Sequence, residues 1–296
     1  MISELIITLS IYLFIITSML FIGLGHSWRD ILAPFKNVKL VLIALLINLV
    51  LIPVAGYLIA TVLALSGAIV VGFLLMTSAP GASYAPRIVE IAEGDVPFST
   101  GLMFLLSTIA LVSAPITILL LLPEGSTVSV WPVIQTLLLL MVIPMLSGLI
   151  IRAWRPKWAD KLLSPVVWTS YIMILVLFVT FLIYKIFSPD PVGGLRDLFG
   201  TMGILAMIFA VGLSLLLGYL FGGPAEGTRR ALATGSANRN AGMALLFATS
   251  IFSSTGDILT VLVAYIIVQI VMSAILAAKW RKKPAAGSGK RPSESL

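Results

Sequence analysis

Two polar stretches interrupt an otherwise apolar chain, and they hold the residues able to bind a charged solute. The first reads Pro80-Gly81-Ala82-Ser83-Tyr84-Ala85-Pro86-Arg87-Ile88-Val89-Glu90, and the second Thr234-Gly235-Ser236-Ala237-Asn238-Arg239-Asn240-Ala241-Gly242. Each combines helix-breaking residues with hydrogen-bonding groups and an arginine, a mixture that hydrocarbon accepts only where protein or a watery cavity satisfies it. Pro86 has no amide proton and disfavours helical geometry at Ala85, so carbonyls one turn back lose their partner and are free to face a ligand. Gly235, Ser236, Asn238 and Asn240 give the second stretch a pliable, hydrogen-bonding interruption in mid-span. If the two breaks cross, four half-helix ends meet near the bilayer midplane. Amino-terminal ends there favour anions and carbonyl ends favour cations.

The charges give the sign of the expected solute. Arg87 and Glu90 are three residues apart and share one helix face, so they can pair. Arg239 has no acid in its own segment, and the three groups together carry one net positive charge. Arginine reads carboxylates through two parallel hydrogen bonds from its planar fork. Ser83, Tyr84, Arg87, Glu90, Ser236, Asn238, Arg239 and Asn240 are therefore candidate binding residues for a small organic anion. The plainer reading is a pair of Pro and Gly kinks satisfied by neighbouring helices, with Arg87 snorkelling to the interface.

These stretches need a membrane-embedded scaffold, and the composition supplies it. The chain has 296 residues, 59% hydrophobic and only 10% charged, with a mean hydropathy of +1.12. A soluble domain is usually about 25% charged, so the sequence describes an integral membrane protein. Its apolar runs are about 20 residues long, enough for a helix to cross roughly 30 Å of hydrocarbon, and barrel-type alternation is absent. Ten apolar segments are expected, at about 5–24, 39–63, 67–80, 83–93, 97–121, 129–151, 164–187, 198–222, 228–251 and 257–279. The fourth and ninth are interrupted, the mark of a transporter built from two inverted repeats. The fold class read from the sequence is thus all-α, with ten transmembrane helices in two inverted five-helix repeats, 1–128 and 129–280. Residues 281–296 read as a disordered cytoplasmic tail. The first run, from Ile6 to Leu24, reads as a span because no basic residue precedes it and no small-residue cleavage site follows it.

Lysines and arginines set the expected orientation. With the amino terminus inside, Arg152, Arg155, Lys157, Lys161, Arg229, Arg230 and six tail residues lie inside, against Arg29, Lys36, Lys39, Lys185 and Arg196 outside. Both termini are then cytoplasmic in the plasma (inner) membrane, with the first loop as the dissenter. The net charge of +7 reports these loops and the tail, so no nucleic-acid partner is expected. Zero cysteines exclude disulfides, thiolate metal sites and a cysteine nucleophile. The single histidine, His26, has no Asp, Glu or His cluster around it, so neither a metal site nor a catalytic triad is expected. No phosphate-binding glycine loop is present either. Asn48, Gln135, Gln269, Ser107, Thr108, Thr169 and Ser170 read chiefly as hydrogen-bonding glue between helices.

Three places resemble the bile acid:sodium symporter family. Asn48-Leu49-Val50-Leu51-Ile52-Pro53 is similar to its Gln-x-x-x-x-Pro. Pro80-Gly81-Ala82-Ser83, followed by Ala92-Glu93-Gly94-Asp95-Val96-Pro97-Phe98-Ser99, resembles its Pro-Gly-Gly-Thr-Ala-Ser-Asn and Ala-x-Gly-Asn/Asp-Val-x-Leu-Ser. Asn240-Ala241-Gly242 is similar to the end of its Glu-x-Gly-x-Gln-Asn-Ser-Gly signature. The resemblance implies a panel domain of helices 1, 2, 6 and 7 and a core domain of helices 3–5 and 8–10, with helices 4 and 9 broken and crossing. It also implies transport by alternating access, usually with two sodium ions coupled to an organic anion. Asn48 and Ser99 join the candidate set on this ground. The departures bear on mechanism. Ala85-Pro86 stand in place of the family's Ser-Asn, Met103 in place of a threonine, Gly235 in place of the glutamate and Arg239 in place of the glutamine. Both sodium sites are therefore expected to be degraded. Arg239 is expected to act as a tethered cation where sodium would sit, held by Asn48, Asn238 and Glu90.

The function implied is a secondary transporter of small organic anions, such as a bile acid, a keto acid or a vitamin precursor, with no cofactor. The alternative within transport couples to protons through Glu90. The alternative of another class is a membrane receptor or scaffold, although the short loops offer no output module. The arsenite-permease relatives rely on a cysteine that this chain does not have, and no nucleophile–base pair suggests an enzyme.

Overall fold

The computed structural model describes residues 2–121, 130–186, 198, 200–251 and 256–281, and among these the chain is helical with no strand. A first helix, α1 (Ile2–Gly25), is followed by a short helix α2 (Trp28–Leu32). A tight turn over Ala33–Asn37 then leads into α3 (Val38–Leu46), which Asn37 caps by accepting the amide of Leu40. One π-type turn, Ile47–Leu51, joins α3 to α4 (Ile52–Val62) in a continuous span. After α5 (Gly67–Thr77), α6 (Ala85–Ile91) and α7 (Val96–Leu121) come α8 (Val130–Leu137) and α9 (Ile143–Trp154), again joined through a π-type turn, Leu138–Val142. Both π-type turns precede a proline, Pro53 and Pro144. A proline that cannot donate to the preceding turn is relieved by one extra residue there. The chain continues through α10 (Pro156–Ile186), α11 (Gly203–Phe221), α12 (Glu226–Ala237), α13 (Ala241–Ile251) and α14 (Gly256–Arg281).

Among the described residues seven helices or helix chains are long and apolar enough to cross a bilayer. Two further units among the described residues are broken helices. Segments 67–80 and 83–93 are the two halves of one span, as the course of α14 beside them shows. A side chain at Gly72 would meet Val261, Phe73 packs against Tyr265, Tyr84 bonds Gln269, and Ile88 and Ala92 lie with Ala277. The contacts advance in step along one 26-residue helix, so α5 and α6 together travel the length of a single span. The described residues thus build nine membrane-length units, four before residue 122 and five after it. The expected repeat boundary at 128/129 and the tail 282–296 lie outside the described residues.

Two groups of helices pack on one continuous core that runs from α1, α9 and α10 to α5, α7, α13 and α14. In the first, α1 lies against α9 and α10, with Gly23 and Gly148 so close that a Cβ at Gly23 would meet the backbone of Met145 and Leu149. Small residues at such crossings let backbones approach in a bilayer, where dispersion replaces the hydrophobic effect as the driving force. The second group is built on the broken helices. Segment 39–63 packs against these broken helices. Leu40, Ala44, Ile47 and Ile52 share a core with Val89, Phe98, Leu102, Ala231 and Leu232, while Gly56 abuts Thr77. The outer surface is apolar, with Leu42, Val62, Leu120 and Leu175 exposed to lipid, and Trp154 and Trp158 exposed at one end.

Candidate functional site

The two breaks, residues 78–84 and 238–240, meet and bond directly. Asn240 donates its amide to the Ala79 carbonyl (2.7 Å) and its Nδ2 to the Gly81 carbonyl (3.2 Å). Its Oδ1 accepts the amide of Met243 (3.1 Å), which makes Asn240 the amino-terminal cap of α13. The Gly81 carbonyl also accepts from Ser107 Oγ (3.0 Å) on α7. Gly81 has φ +87°, and a Cβ there would lie 2.5 Å from Ser107 Oγ, so this position takes only glycine. Across the crossing, Asn238 closes α12 by donating Nδ2 to the Thr234 carbonyl (2.7 Å) and to Ser273 Oγ (2.9 Å) on α14.

Arg239 sits inside this knot with no exposed surface. Its backbone is held at both ends by Gln269, whose Oε1 accepts the Arg239 amide (2.9 Å) and whose Nε2 donates to the Arg239 carbonyl (3.3 Å) and to Tyr84 Oη (2.5 Å). The guanidinium makes one long contact, Nη1 to the Asn48 carbonyl at 3.4 Å. That acceptor is free for a reason written in the sequence. In the π-type turn the Ile52 amide bonds the Ile47 carbonyl, and the next residue, Pro53, has no amide to offer Asn48. Nε and Nη2 are buried without a partner, and no carboxylate among the described residues bridges to them. These two nitrogens form one edge of the planar fork, the edge that makes two parallel bonds to a carboxylate. A buried charge normally requires such a partner. Asn48 Oδ1, Asn238 Oδ1, Ser78 Oγ and Tyr265 Oη are likewise buried and unpartnered.

The remaining candidates divide clearly. Asn48 Nδ2 donates to Ser236 Oγ (2.8 Å) and to the Ala44 carbonyl (2.9 Å), so Asn48, Ser236, Asn238, Arg239 and Asn240 form one buried cluster. Tyr84 reaches it through Gln269, and Ser83 lies half-buried in the first break. Ser99 is buried, with its Oγ unpartnered, on a cavity lined by Gly81, Ala82, Ala85, Leu102, Met103, Leu106 and Gly235. That cavity has room for about one water molecule. It therefore gathers the positions where the family resemblance places sodium ligands, with a single polar side chain among them. Arg87 and Glu90 do not join the cluster. They form a 3.1 Å ion pair on the surface, 74% and 61% exposed, so Glu90 does not hold Arg239 as expected. Asn238 does not bond the guanidinium either; the Asn48 carbonyl does.

Tyr265, Gln269 and Ser273 are the functional candidates that sequence reasoning passed over or took for glue. They recur every fourth residue on α14 and form one buried stripe against the crossing. Ser99, Met103 and Ser107 form the matching stripe on α7. A polar i, i+4, i+8 spacing inside a long apolar helix is the signal that identifies such a face. Among the described residues no group of His, Cys, Asp and Glu is arranged to hold a metal ion. A larger apolar cavity of about 90 Å³, between α10, α13 and α14, has no polar lining and lies apart from Arg239.

A search of curated proteins finds no match to this sequence. A family model does match, over residues 11–188, more than half of the chain, covering α1's latter part through α10 and the first break but not the second. With its multi-pass helical architecture, its broken helix after the Pro-Gly pair and this match, the chain belongs to the Sodium Bile acid symporter family.

Proposed function

We propose that the protein is a secondary transporter that moves small organic anions by alternating access, binding the anion at Arg239 and using no sodium at the crossing. The observation that carries this reading is a guanidinium with no exposed surface, two unpartnered donors on one edge and, among the described residues, no carboxylate bridging to it. An anionic substrate supplies the missing partner. Against sodium stands the cavity beside Ser99, whose other lining side chains, at Ala85, Met103 and Gly235, offer no oxygen. A guanidinium beside the Asn48 carbonyl adds cation repulsion in a low-dielectric setting.

The halves pair as inverted repeats in this reading: α1 with α10, α3–α4 with α11, α5 and α6 with α12 and α13, and α7 with α14. The paired polar stripes on α7 and α14 support it. So do Gly56 and Gly218, which both abut the helix just before a break. The panel is then α1, α8–α9 and α10, and the core is the rest. With nine crossings, sixteen of the nineteen lysines and arginines fall on the face of the carboxy terminus, against Lys185 and Arg196 on the other and Arg239 within. That asymmetry puts the carboxy-terminal face in the cytoplasm of a plasma membrane, and the first loop no longer dissents.

The test is uptake of radiolabelled pyruvate, pantoate and taurocholate into proteoliposomes, with sodium or potassium as the cation. Uptake of at least one, equal in both salts and at least tenfold weaker in Arg239→Gln, is expected. A strict sodium requirement, or an unchanged KM in Arg239→Gln, would overturn the reading.

A further inference from the structure

Beyond the substrate class, and resting on that reading, the charge of the site sets the mode of transport. We infer that the protein is an exchanger: it moves an anion one way in return for an anion moving the other way. Arg239 is sealed from both faces and the nearby cavity holds no more than about one water, so bulk water does not offset its charge, and among the described residues no side-chain carboxylate does. Nη1 is committed to the Asn48 carbonyl, while Nε and Nη2 wait for a carboxylate.

When an anion is bound, the guanidinium and its partner sum to zero and the closed state holds no net charge. When none is bound, closure must enclose an unpaired cation, which is strongly disfavoured in a low-dielectric interior. A sodium-coupled carrier escapes this, because its cation leaves with the substrate. Here the cation is part of the chain and stays. Reorientation of the loaded carrier is therefore fast and that of the empty carrier slow, and the cycle closes quickly only when a second anion loads for the return. One monocarboxylate exchanged for another moves no net charge, so the flux is insensitive to membrane potential.

The experiment compares proteoliposomes loaded with unlabelled pyruvate against ones loaded with a large impermeant sulfonate buffer, with radiolabelled pyruvate and, separately, radiolabelled taurocholate outside. At least tenfold faster initial uptake into pyruvate-loaded vesicles, unaffected by a potassium–valinomycin potential, is expected. Equal uptake into both would overturn exchange and leave the anion-carrier reading standing. Absence of uptake in both, with the protein shown to be folded by its melting curve, would overturn both readings. Arg239→Gln and Arg239→Lys separate charge from fit. The lysine variant is expected to keep the dependence on internal pyruvate with a raised KM. The glutamine variant is expected to lose the dependence, and a dependence that persists in it would overturn the assignment to Arg239.

Discussion

Replacing Gly81 by alanine tests whether the crossing is held as tightly as its geometry implies. Two separate penalties act. At φ +87° an L-residue is disfavoured by about 1–2 kcal/mol. The new Cβ would also lie 2.5 Å from Ser107 Oγ, 2.8 Å from the Ser107 amide nitrogen and 3.1 Å from the Met103 carbonyl. Overpacking of this kind costs about 1–3 kcal/mol. The Oγ can rotate away, but the other two atoms belong to the backbone of a 26-residue helix and cannot. The sum is about 2–5 kcal/mol, a fall in melting temperature of roughly 5–15 °C for a chain of this size. Tryptophan fluorescence on detergent-purified protein during heating measures it. Adding Ser107→Ala removes the side-chain clash but also one of the two bonds to the Gly81 carbonyl, so the double variant should recover less than half of the loss. Wild-type melting in Gly81→Ala, or full recovery in the double variant, would refute the packing argument.

Three other outcomes follow from the structure. Arg230 is 6% exposed and ties α12 to the α6–α7 corner through the Ala92 carbonyl (2.9 Å) and to Glu226 (3.1 Å), with its guanidinium 5.9 Å from the Trp280 ring. Its loss strands a carbonyl, so Arg230→Ala should lower stability by about 1–3 kcal/mol, and Arg230→Lys should not restore it, because lysine has no fork to serve both partners, as melting curves of the two would show. His26 lies in the loop after α1 and bonds the Ile22 carbonyl (2.8 Å), and burial holds its pKa below the usual 6.5. The fold thus binds this proton less well than the unfolded chain does, so stability is complete above about pH 6.5 and declines as pH falls; His26→Gln should flatten that decline in melting curves taken from about pH 8 to pH 5. In the proposed topology Ser66 and Ala225 lie on opposite faces. With no native cysteine, Ser66→Cys and Ala225→Cys in intact cells should differ, the first reacting with an impermeant maleimide and the second only after lysis.

Composition and apolar run length made the membrane class and most spans legible, and the Pro-Gly and Gly-Ser-Asn-Arg stretches marked both breaks. The single span across 67–91 was not legible. A seven-residue helix behind a Pro-Gly-Ser turn has too little hydropathy to be read as the continuation of α5, and only its contacts along α14 reveal the path. The proposed orientation and repeat register both rest on that one unit. At the site, the side-chain types at 48, 236 and 238–240 announced themselves. The acceptor for Arg239 did not, because it is a main-chain carbonyl released by a π-type turn ahead of Pro53. Arg87 and Glu90 misled for the opposite reason. Their charges stood out in sequence, yet one helical turn carries them to the surface as a mutual pair.

The bonds from Asn240 to Ala79 and Gly81 also bear on biogenesis. The Ala79 carbonyl has its partner, Asn240, far downstream, and the Gly81 carbonyl, which Ser107 already serves, has its second partner there, 159 residues on. At synthesis rates of about 5–20 residues per second, they enter the membrane on the order of 10–30 s before Asn240 exists. Until then the Ala79 carbonyl lacks its partner in an apolar solvent, so the first half has no finished form of its own. The ribosome must complete the eighth crossing before the third can settle, and a message truncated before codon 240 should yield a nascent chain retained by the insertion machinery.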